Sequence, residues 1–500
     1  MSLIHEYLSP MVEKHPDHIA FIDFDKTEHS FKFFEKGVQE AIQSLKEQGA
    51  QAGDRVIVLG ENSSIYAAYV IACSFMKCWA IPLNARMTPG EVSKIVEHAT
   101  PRVLVVTLDA SPDADKHVKE FGTHEHTTCL GRVGIATPFE SNPEPVSDDG
   151  REQVFVMMYT TGTTGTPKGV MLTHENLLST TSWSVDRREL TPKDKIYSIL
   201  PISHVAGVTT GFLPTLLSGA TCWFVNRFNP ADTWDALHSG VSILQGIPQL
   251  HAAMVHYGNS QGKAKLESPS LRYVSSGAAP LDLPSKKLYE DFYDLNMRNG
   301  YGLTETASGI SGSNYEKGSP DISVGAPIPI VEVKIAGAND EGIGEIIARG
   351  PNIMKGYYRN PEATSAAFDE EGYFHTGDLG RLDEQGNLHV VGRSKELIIH
   401  SGFNVYPPEV EGMINDHPDV LHCAVVGHKT ENSNEEVIAY VTLKPGRACS
   451  EEEIKGFLKN KLTAYKRPSR IIFADYLPMA SSGKILKHKL NDMFYKDGVA

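Results

Sequence analysis

The sequence predicts an α/β protein with two parallel sheets, followed by antiparallel strands and a small α+β domain. Up to about residue 300, short apolar runs alternate with helix-length segments, which is typical of parallel strands buried on both faces. After about residue 325, apolar and polar residues alternate between glycine turns, which predicts antiparallel strands. At 500 residues the chain is too long for a single core, so we expect at least two domains.

The first block of predicted strands and helices lies before residue 110. Its strands are RVIVLG (55–60), WAIPLN (79–84) and PRVLVVT (101–107), and its helices are a segment ending near Met76 and TPGEVSKIVEHA (88–99). The longest apolar run of the chain, residues 65–76, is too short to span a bilayer. We therefore expect a buried helix there.

The second block begins near residue 153. Its strands are QVFVMMY (153–159), KIYSILP (195–201), TCWFV (221–225), VSILQGI (241–247) and LRYVSS (271–276), with DTWDALHSG and PQLHAAMVHYG as intervening helices. The segments IVEVKIAG and EGIGEIIARG then predict antiparallel strands, and residues 386–407 predict a hairpin that crosses a junction. We place the domain boundary after Ser394, giving domains 1–394 and 395–500.

Composition and charge restrict the function. The net charge of −15 argues against a nucleic-acid partner and against adhesion to anionic membranes. The six cysteines show no CxxC pair or metal-type spacing, so we expect no disulfide framework and a reducing, cytoplasmic setting. The first residues, MSLIHEYLSPMVEKHPDH, lack the pattern of a signal peptide.

One loop has the composition of a phosphate-binding site. YTTGTTGTPKG (159–169) combines turn-forming glycines, threonine hydroxyls and a lysine, and follows a predicted parallel strand. Its spacing is not that of a Walker A motif, because Pro167 stands where the second glycine belongs and Gly169 follows Lys168. Open α/β sheets bind ligands at the carboxyl edge of their strands. We therefore predict a phosphate ligand for this loop.

Six segments together resemble the ANL family of adenylate-forming enzymes, which includes acyl-CoA synthetases, non-ribosomal adenylation domains and firefly-type luciferases. They are YTTGTTGTPKGV (159–170), LPISHVAG (200–207), NGYGLTET (299–306), YFHTGDL (373–379), GRSKELIIHSGFNVYPPEVE (392–411) and SSGKILK (481–487), in the family's order and spacing. The resemblance covers essentially the whole chain. It implies a large N-terminal domain with two parallel-sheet subdomains and a distorted antiparallel β-barrel, and a small mobile C-terminal domain. It also implies attack of a carboxylate on the α-phosphorus of ATP.

The resemblance implies a set of nucleotide-binding residues: Thr160, Thr161, Gly162, Thr163, Thr164, Lys168, Gly277, Ala278, Ala279, Pro280, Asn299, Gly300, Tyr301, Gly302, Thr304, Asp378 and Arg393. The threonines and Lys168 would hold the departing pyrophosphate, since positive charge and oriented donors stabilise the transition state. By the same likeness, Glu305 would ligate Mg²⁺, which prefers carboxylate and phosphate oxygens. Thr304 would contact the α-phosphate.

The remaining nucleotide contacts and the catalytic lysine are also implied by the resemblance. Tyr301 would stack on adenine opposite the GAAP segment (277–280), and Asp378 with Arg393 would bind the ribose. Lys484 would bridge the attacking carboxylate and the α-phosphate during adenylation. This charge is needed in one half-reaction and obstructs the other.

For the second half-reaction, the resemblance implies a swing of the small domain about Lys395. The swing would bring Ser401, Gly402 and Phe403 to the channel for the CoA thiol. Phe403 stands where relatives commonly have glycine. Six basic residues near the C-terminus form either a solvated helix face or a surface that attracts the CoA phosphates: Lys455, Lys459, Lys461, Lys466, Arg467 and Arg470.

The acyl pocket is predicted at His204, Val205, Gly207, Val208, Gly277 and Gly302. SHVAGVTTGF contains no acid that would bind a substrate amine, which argues against α-amino acids. We predict an AMP-forming acyl-CoA synthetase that uses ATP, Mg²⁺ and CoA. A medium- or long-chain fatty acid is the first expectation, with an aryl or short-chain acid next. The alternatives left open are a ligase that loads a carrier protein, a luciferase-like oxygenase and a non-enzymatic nucleotide binder. A homodimer is compatible with the sequence.

Overall fold

The computed structural model describes residues 2–136, 139–161, 167–400, 403–429, 435–459, 461–479 and 485–494. Up to residue 136 the strands are β1 (Ile19–Ile22), β2 (Glu28–Ser30), β3 (Arg55–Gly60), β4 (Trp79–Asn84), β5 (Val103–Thr107), β6 (His124–Thr128) and β7 (Gly131–Ala136). The helices of this region are α1 (Leu8–Lys14), α2 (Phe31–Glu47), α3 (Ser64–Met76), α4 (Pro89–Ala99) and α5 (Ala114–Phe121), with a 3₁₀ turn at Ile4–Tyr7.

The middle of the chain continues the alternation. Its strands are β8 (Val154–Thr161), β9 (Pro167–Thr173), β10 (Lys195–Ser198), β11 (Thr221–Phe224), β12 (Ile243–Gly246), β13 (Tyr273–Ser276) and β14 (Met297–Tyr301). Its helices are α6 (His174–Arg188), α7 (Leu213–Ser218), α8 (Pro230–His238), α9 (Pro248–Ser260) and α10 (Leu283–Tyr293). A π-helix, Gly207–Phe212, precedes α7, and a 3₁₀ turn, Thr304–Thr306, follows β14.

The last third of the chain is richer in antiparallel strands. They are β15 (Ser311–Gly312), β16 (Ala326–Pro327), β17 (Glu332–Ala336), β18 (Gly344–Arg349), β19 (Gly356–Tyr357), β20 (Phe374–Leu382), β21 (Leu388–Arg393), β22 (Ile398–His400), β23 (Phe403–Val405), β24 (Val420–Lys429), β25 (Glu435–Leu443) and β26 (Arg470–Phe473). The helices are α11 (Pro361–Ser365), α12 (Pro407–Asn415), α13 (Glu451–Leu458) and α14 (Leu490–Phe494), with 3₁₀ turns at Ser394–Glu396, Ala464–Lys466 and Lys487–Lys489.

Two mixed sheets, each with a parallel centre, carry the predicted blocks. The first has the strand order β19-β9-β8-β4-β3-β5-β7-β6, and the second β16-β15-β14-β13-β12-β10-β11-β1-β2. In the first sheet β8, β4, β3 and β5 are parallel neighbours and the flanking strands are antiparallel. The blocks do not correspond one to one with the sheets, because β1 pairs in parallel with β11, Phe21 opposite Cys222, and β8 of the second block pairs with β4 of the first. The mixed α/β class predicted from the alternation of segments is confirmed.

The main core explains why the run at 65–76 is apolar all round. From Ser64 to Ser74 every residue of α3 is buried, and α3 packs with strands of the first sheet and with Phe212 and Phe224 from the second block. Burying one large aliphatic side chain contributes about 1.5–3 kcal/mol, so this helix is a major contributor to stability. Among the described residues, no helix has the length and apolar character that crossing a bilayer requires.

Local signals set several helix starts. Thr88 and Glu91 form a reciprocal capping box at the start of α4, and Ser450 and Glu453 form another at the start of α13. All six cysteines are free.

The hairpin predicted over residues 386–407 is wrong in part. β21 pairs with the preceding strand β20, Asp378 opposite Arg393, and the hairpin is confined to β22 and β23. β17, β18, β20 and β21 form one antiparallel sheet, while β24, β25 and β26 form a mixed sheet in which β25 and β26 are parallel. From Ile398 onward the buried apolar side chains make cores of their own. The turn Ser394–Glu396 therefore separates two sets of cores.

Candidate active site

A series of side chains in contact begins beside the predicted phosphate-binding loop. Thr160 and Lys168 face each other across β8 and β9 and bracket the loop. The Lys168 ammonium lies 4.6 Å from the centre of the Tyr357 ring. The Tyr357 hydroxyl donates to Glu305 Oε1 at 3.0 Å. Gly162, Thr163 and Thr164 lie outside the described residues, as does the Thr161 side chain.

Sequence reasoning missed Tyr357. Tyr357 links Lys168 to Glu305 only in the folded chain. It reaches the site through the short strand β19, which pairs with β9. Burial, and then the Glu305 carboxylate, raise the pKa of Tyr357. The Tyr357 hydroxyl therefore stays protonated and donates to Glu305. The signal in the sequence is the doubled tyrosine after Gly356, which by itself has no assigned chemistry.

The donor set around Glu305 fits Mg²⁺. Glu305 Oε2 has no hydrogen-bond partner in the described part of the chain, while Oε1 is held by Tyr357. The described ranges hold no group of three or more His, Cys, Asp or Glu side chains that could bind a metal ion by themselves. A single protein carboxylate is what a magnesium ion needs when substrate phosphates supply other oxygens. Thr304 begins the 3₁₀ turn that carries Glu305.

The predicted ribose site is assembled around a buried carboxylate. Asp378 is 4% exposed. It accepts from the Tyr301 hydroxyl through Oδ2 at 2.6 Å and pairs with Arg393 Nε through Oδ1 at 3.1 Å. Burial, and then the Asp378 charge, raise the pKa of Tyr301, so its hydroxyl stays a donor. The structure thus brings Tyr301, Asp378 and Arg393 together, and it adds a hydrogen bond that the stacking role of Tyr301 did not predict.

The small residues of the predicted nucleotide-binding set are needed for different structural reasons. A Cβ on Gly302 would lie 2.2 Å from the Ser308 carbonyl oxygen, so backbone packing requires this glycine. A Cβ on Gly277 would lie 3.8 Å from the Gly300 oxygen, an ordinary contact. Ala278 has a φ of +62°, which is unusual for a residue with a side chain. Asn299 is buried, and its Oδ1 accepts from the Gly300 N–H at 3.0 Å. Ala279 and Pro280 complete the loop.

Four of the six predicted acyl-pocket residues lie on the π-helix or just before it. His204 is exposed to solvent, yet enough protein surrounds it that desolvation lowers its pKa, as expected on a cleft wall. Val205 and Val208, in contrast, are fully buried in the main core, so their side chains belong to that core. A Cβ on Gly207 would lie 2.0 Å from the Pro201 oxygen, so this glycine allows a close backbone approach.

The C-terminal candidates are only partly described. Lys484, Ser401 and Gly402 lie outside the described residues. Lys395 is exposed in the turn Ser394–Glu396, and Phe403 stacks on Tyr465 with ring centres 4.6 Å apart.

Three of the six basic residues near the C-terminus have acidic partners close by. Ion pairs join Lys455 to Glu451, Lys461 to Asp416 and Lys466 to Glu409. Attraction of the CoA phosphates by this surface stays a prediction.

Fold and site together define an adenylate-forming enzyme, and the chain belongs to the family described as AMP-binding enzyme, which matches residues 9–358. The family described as AMP-binding enzyme C-terminal domain matches residues 409–484. The protein is an adenylate-forming acid–CoA ligase of the ANL superfamily, with ATP, Mg²⁺ and CoA as its cofactor and co-substrates.

Similar proteins carry the names of ligases for different acids. Feruloyl-CoA synthase of an Amycolatopsis species is 30% identical over 491 residues, which is 95% of this chain and 96% of that relative. Long-chain-fatty-acid–CoA ligase FadD13 of Mycobacterium tuberculosis is 30% identical over 458 residues, 89% of each chain. The solved structure of o-succinylbenzoate coenzyme A synthetase from Bacillus subtilis, in complex with ATP and magnesium ion, has a TM-score of 0.82 at 26% identity, covering 97% of this chain and 99% of that one.

Replacing Asp378 by asparagine should weaken nucleotide binding. Hydrogen bonds to charged groups contribute about 1.5–3 kcal/mol, so the dissociation constant for ATP should rise about 10- to 100-fold. Calorimetric titration with ATP measures this directly. Asp340→Asn, the same change at an exposed aspartate, is the control and should bind ATP normally. Normal affinity in Asp378→Asn would contradict the role of this carboxylate.

Proposed function

We propose that this chain converts a carboxylic acid and ATP to an acyl-adenylate and pyrophosphate, and then transfers the acyl group to CoA with release of AMP. The observation that carries the proposal is that one short segment takes part in both groups of contacting side chains. Tyr301, which binds Asp378, ends β14, and Glu305, which binds Tyr357, follows four residues later. A nucleoside site and a phosphate–metal site on one segment fit a bound nucleotide.

The residues have distinct proposed roles. Lys168 and the threonines of the loop bind the pyrophosphate that leaves, and Lys168 is oriented by the Tyr357 ring. Tyr301, Asp378 and Arg393 hold adenosine so that the α-phosphorus faces the acid. Mg²⁺, when bound at Glu305, neutralises negative charge on the phosphate oxygens.

The second half-reaction is proposed to use a different arrangement of the two domains, 1–394 and 395–500. Lys484 serves adenylation, and Lys395 is the hinge about which the residues 401–403 replace it near the thiol. Separate cores on either side of the turn Ser394–Glu396 support the boundary. Lys395 is exposed and lies in this turn between the cores, which fits a hinge position at the end of an element.

The proposal also includes the class of acid. A medium- or long-chain fatty acid is the expectation from sequence, and the fatty-acid relative is consistent with it. A specific observation favours the second candidate, a shorter or aromatic acid. Thr210 of the π-helix and Gln245 of β12, both partly exposed, are joined by Arg188, which donates to the Thr210 carbonyl and to Gln245 Oε1. A long alkyl chain would offer these polar groups no hydrogen-bond partner.

The test is pyrophosphate release by the full chain with ATP and Mg²⁺, across a panel of carboxylic acids, each with and without CoA. Continuous release that depends on CoA is the expected result, and the best acid identifies the substrate class. A single burst that CoA does not prolong would instead indicate a carrier protein as the acceptor and would overturn the proposed second step. Asp340→Asn serves as the handling control.

A further inference from the structure

A buried guanidinium with no carboxylate partner lies behind the π-helix. Arg188, at the end of α6, is 2% exposed. Within the described ranges it forms no ion pair, and the acid that influences it from a distance, Asp194, is bound to Arg272 at 2.8 Å and to Ser242 at 2.8 Å. Removing a cation from water costs several kcal/mol unless partners replace the solvent. An arginine of this kind needs a reason.

Neutral oxygens are what Arg188 binds. Its Nε donates to the Ser184 carbonyl at 3.0 Å, and Nη2 to the Ser184 hydroxyl at 2.7 Å. Its Nη1 donates to the Thr210 carbonyl of the π-helix at 3.0 Å and to Gln245 Oε1 at 3.1 Å. Burial lowers the pKa of Arg188 to about 10, so it remains a cation at neutral pH. The positive charge is thus shared with groups on three elements and cancelled by none.

These contacts fix which way the Gln245 amide points. Because its carbonyl oxygen accepts from the guanidinium, its Nε2 must point the other way. No acceptor among the described residues takes the Nε2 hydrogens, and the side chain is partly exposed. The positive charge on one side of the amide also makes its N–H groups stronger donors on the other.

The position of Gln245 places these donors in the interior of the second sheet. Gln245 lies on β12, between β10 and β13, with Ser275 as its registered neighbour. Ile243, two residues before it and so on the same face, packs with Val185 of α6. One residue after it, Gly246 accepts from the Gly277 N–H at 3.1 Å. The free donors therefore lie between sheet and π-helix, one strand position from the GAAP loop.

We infer that the acid carries a second hydrogen-bond acceptor at the end remote from the reacting carboxylate, and that Gln245 Nε2 binds it in the positive field of Arg188. A second carboxylate suits this position best, followed by a carbonyl oxygen. The inference rests on the proposed function, since it concerns the acid of the same site. A bound substrate that lacks the acceptor would cover these donors without pairing them, which is a strong basis for rejection.

The experiment compares matched acids with the full-length enzyme, ATP, Mg²⁺ and CoA. Octanoate and suberate have the same chain length and differ in the second carboxylate, and benzoate and terephthalate form an aromatic pair with the same difference. We expect kcat/KM to be about 10- to 100-fold higher for the acid with the acceptor in at least one pair. A higher value for the monofunctional acid in both pairs would overturn the inference. Absence of pyrophosphate release with every acid would overturn the proposed function instead.

Variants at Gln245 test the mechanism of the preference. Gln245→Glu keeps the size of the side chain but replaces the donors by a carboxylate that pairs with Arg188, so the ratio of kcat/KM between suberate and octanoate should fall about 10- to 100-fold. Gln245→Met keeps the volume without any polar group and should lower the ratio in the same direction. Gln249→Glu, at an exposed glutamine in α9, is the matched control. An unchanged ratio in both Gln245 variants, with normal turnover of octanoate, would contradict the inference.

Discussion

Replacing Lys484 by alanine is expected to lower the rate of adenylation by about 10²- to 10³-fold, the range found when one preorganised charge or donor is removed from a transition state. Thioester formation from acyl-AMP supplied ready-made should be much less affected. The difference follows from the proposed alternation, in which the lysine faces the reacting phosphate in the first half-reaction only. Single-turnover measurements of pyrophosphate release and of acyl-CoA formation separate the two steps.

The position of Lys484 in the chain suggests a suitable control. Met479 and Ile485, on either side of residues 480–484, pair as an antiparallel bridge. Lys487 binds Glu396 at 3.0 Å and Glu411 at 2.7 Å. Lys489 is exposed in the same segment, so Lys489→Ala changes the charge equally without touching these contacts. It should retain both half-reactions. Equal losses in both half-reactions of Lys484→Ala would rule out a lysine that acts in adenylation alone.

Replacing Glu305 by glutamine should have the second-largest effect. The change removes the negative charge of a carboxylate whose Oε2 is available to a magnesium ion, while its length and the bond from Tyr357 can persist. We expect turnover at a fixed, limiting Mg²⁺ concentration to fall about 10²-fold or more, because charge neutralisation on the phosphates is weakened. We also expect the Mg²⁺ concentration for half-maximal rate to rise.

Two further variants isolate the cause of a Glu305 effect. Tyr357→Phe removes the hydroxyl donor and keeps the carboxylate, so its loss should be smaller, about 10-fold, the lower end of the range for one hydrogen bond to a charged group. Glu316→Gln makes the same chemical change at an exposed glutamate and should be neutral. A Glu305→Gln enzyme with unaltered Mg²⁺ dependence would show that the carboxylate does not hold the metal.

The strands could be predicted well from the sequence because local pattern and tertiary position agree there. Residues 55–60 and 79–84 are apolar runs, and the structure buries nearly all of them in a parallel pair. The helix at 64–76 was identified for the same reason. In these segments a residue's own chemistry decides its environment.

The parts of the site that could not be predicted depend on partners far away along the chain. Tyr357 acquires its role by meeting Glu305 and Lys168, and Arg188 acquires its role by meeting Gln245. Neither residue lies in a local sequence motif with an assigned chemistry. The wrong hairpin predicted at 386–407 has the same origin, because β21 pairs with β20 rather than with the strand that follows it.

The pairing of β1 with β11 has a consequence for how the protein is made. During synthesis, Phe21 emerges from the ribosome roughly 200 residues before Cys222, its partner in the second sheet. At about 5–20 residues per second this is a delay on the order of ten to forty seconds. During that time the apolar edge of β1 lacks its partner strand, and an unpaired strand edge promotes aggregation. A chain truncated before residue 222 would keep that edge open and should aggregate rather than fold as a smaller unit.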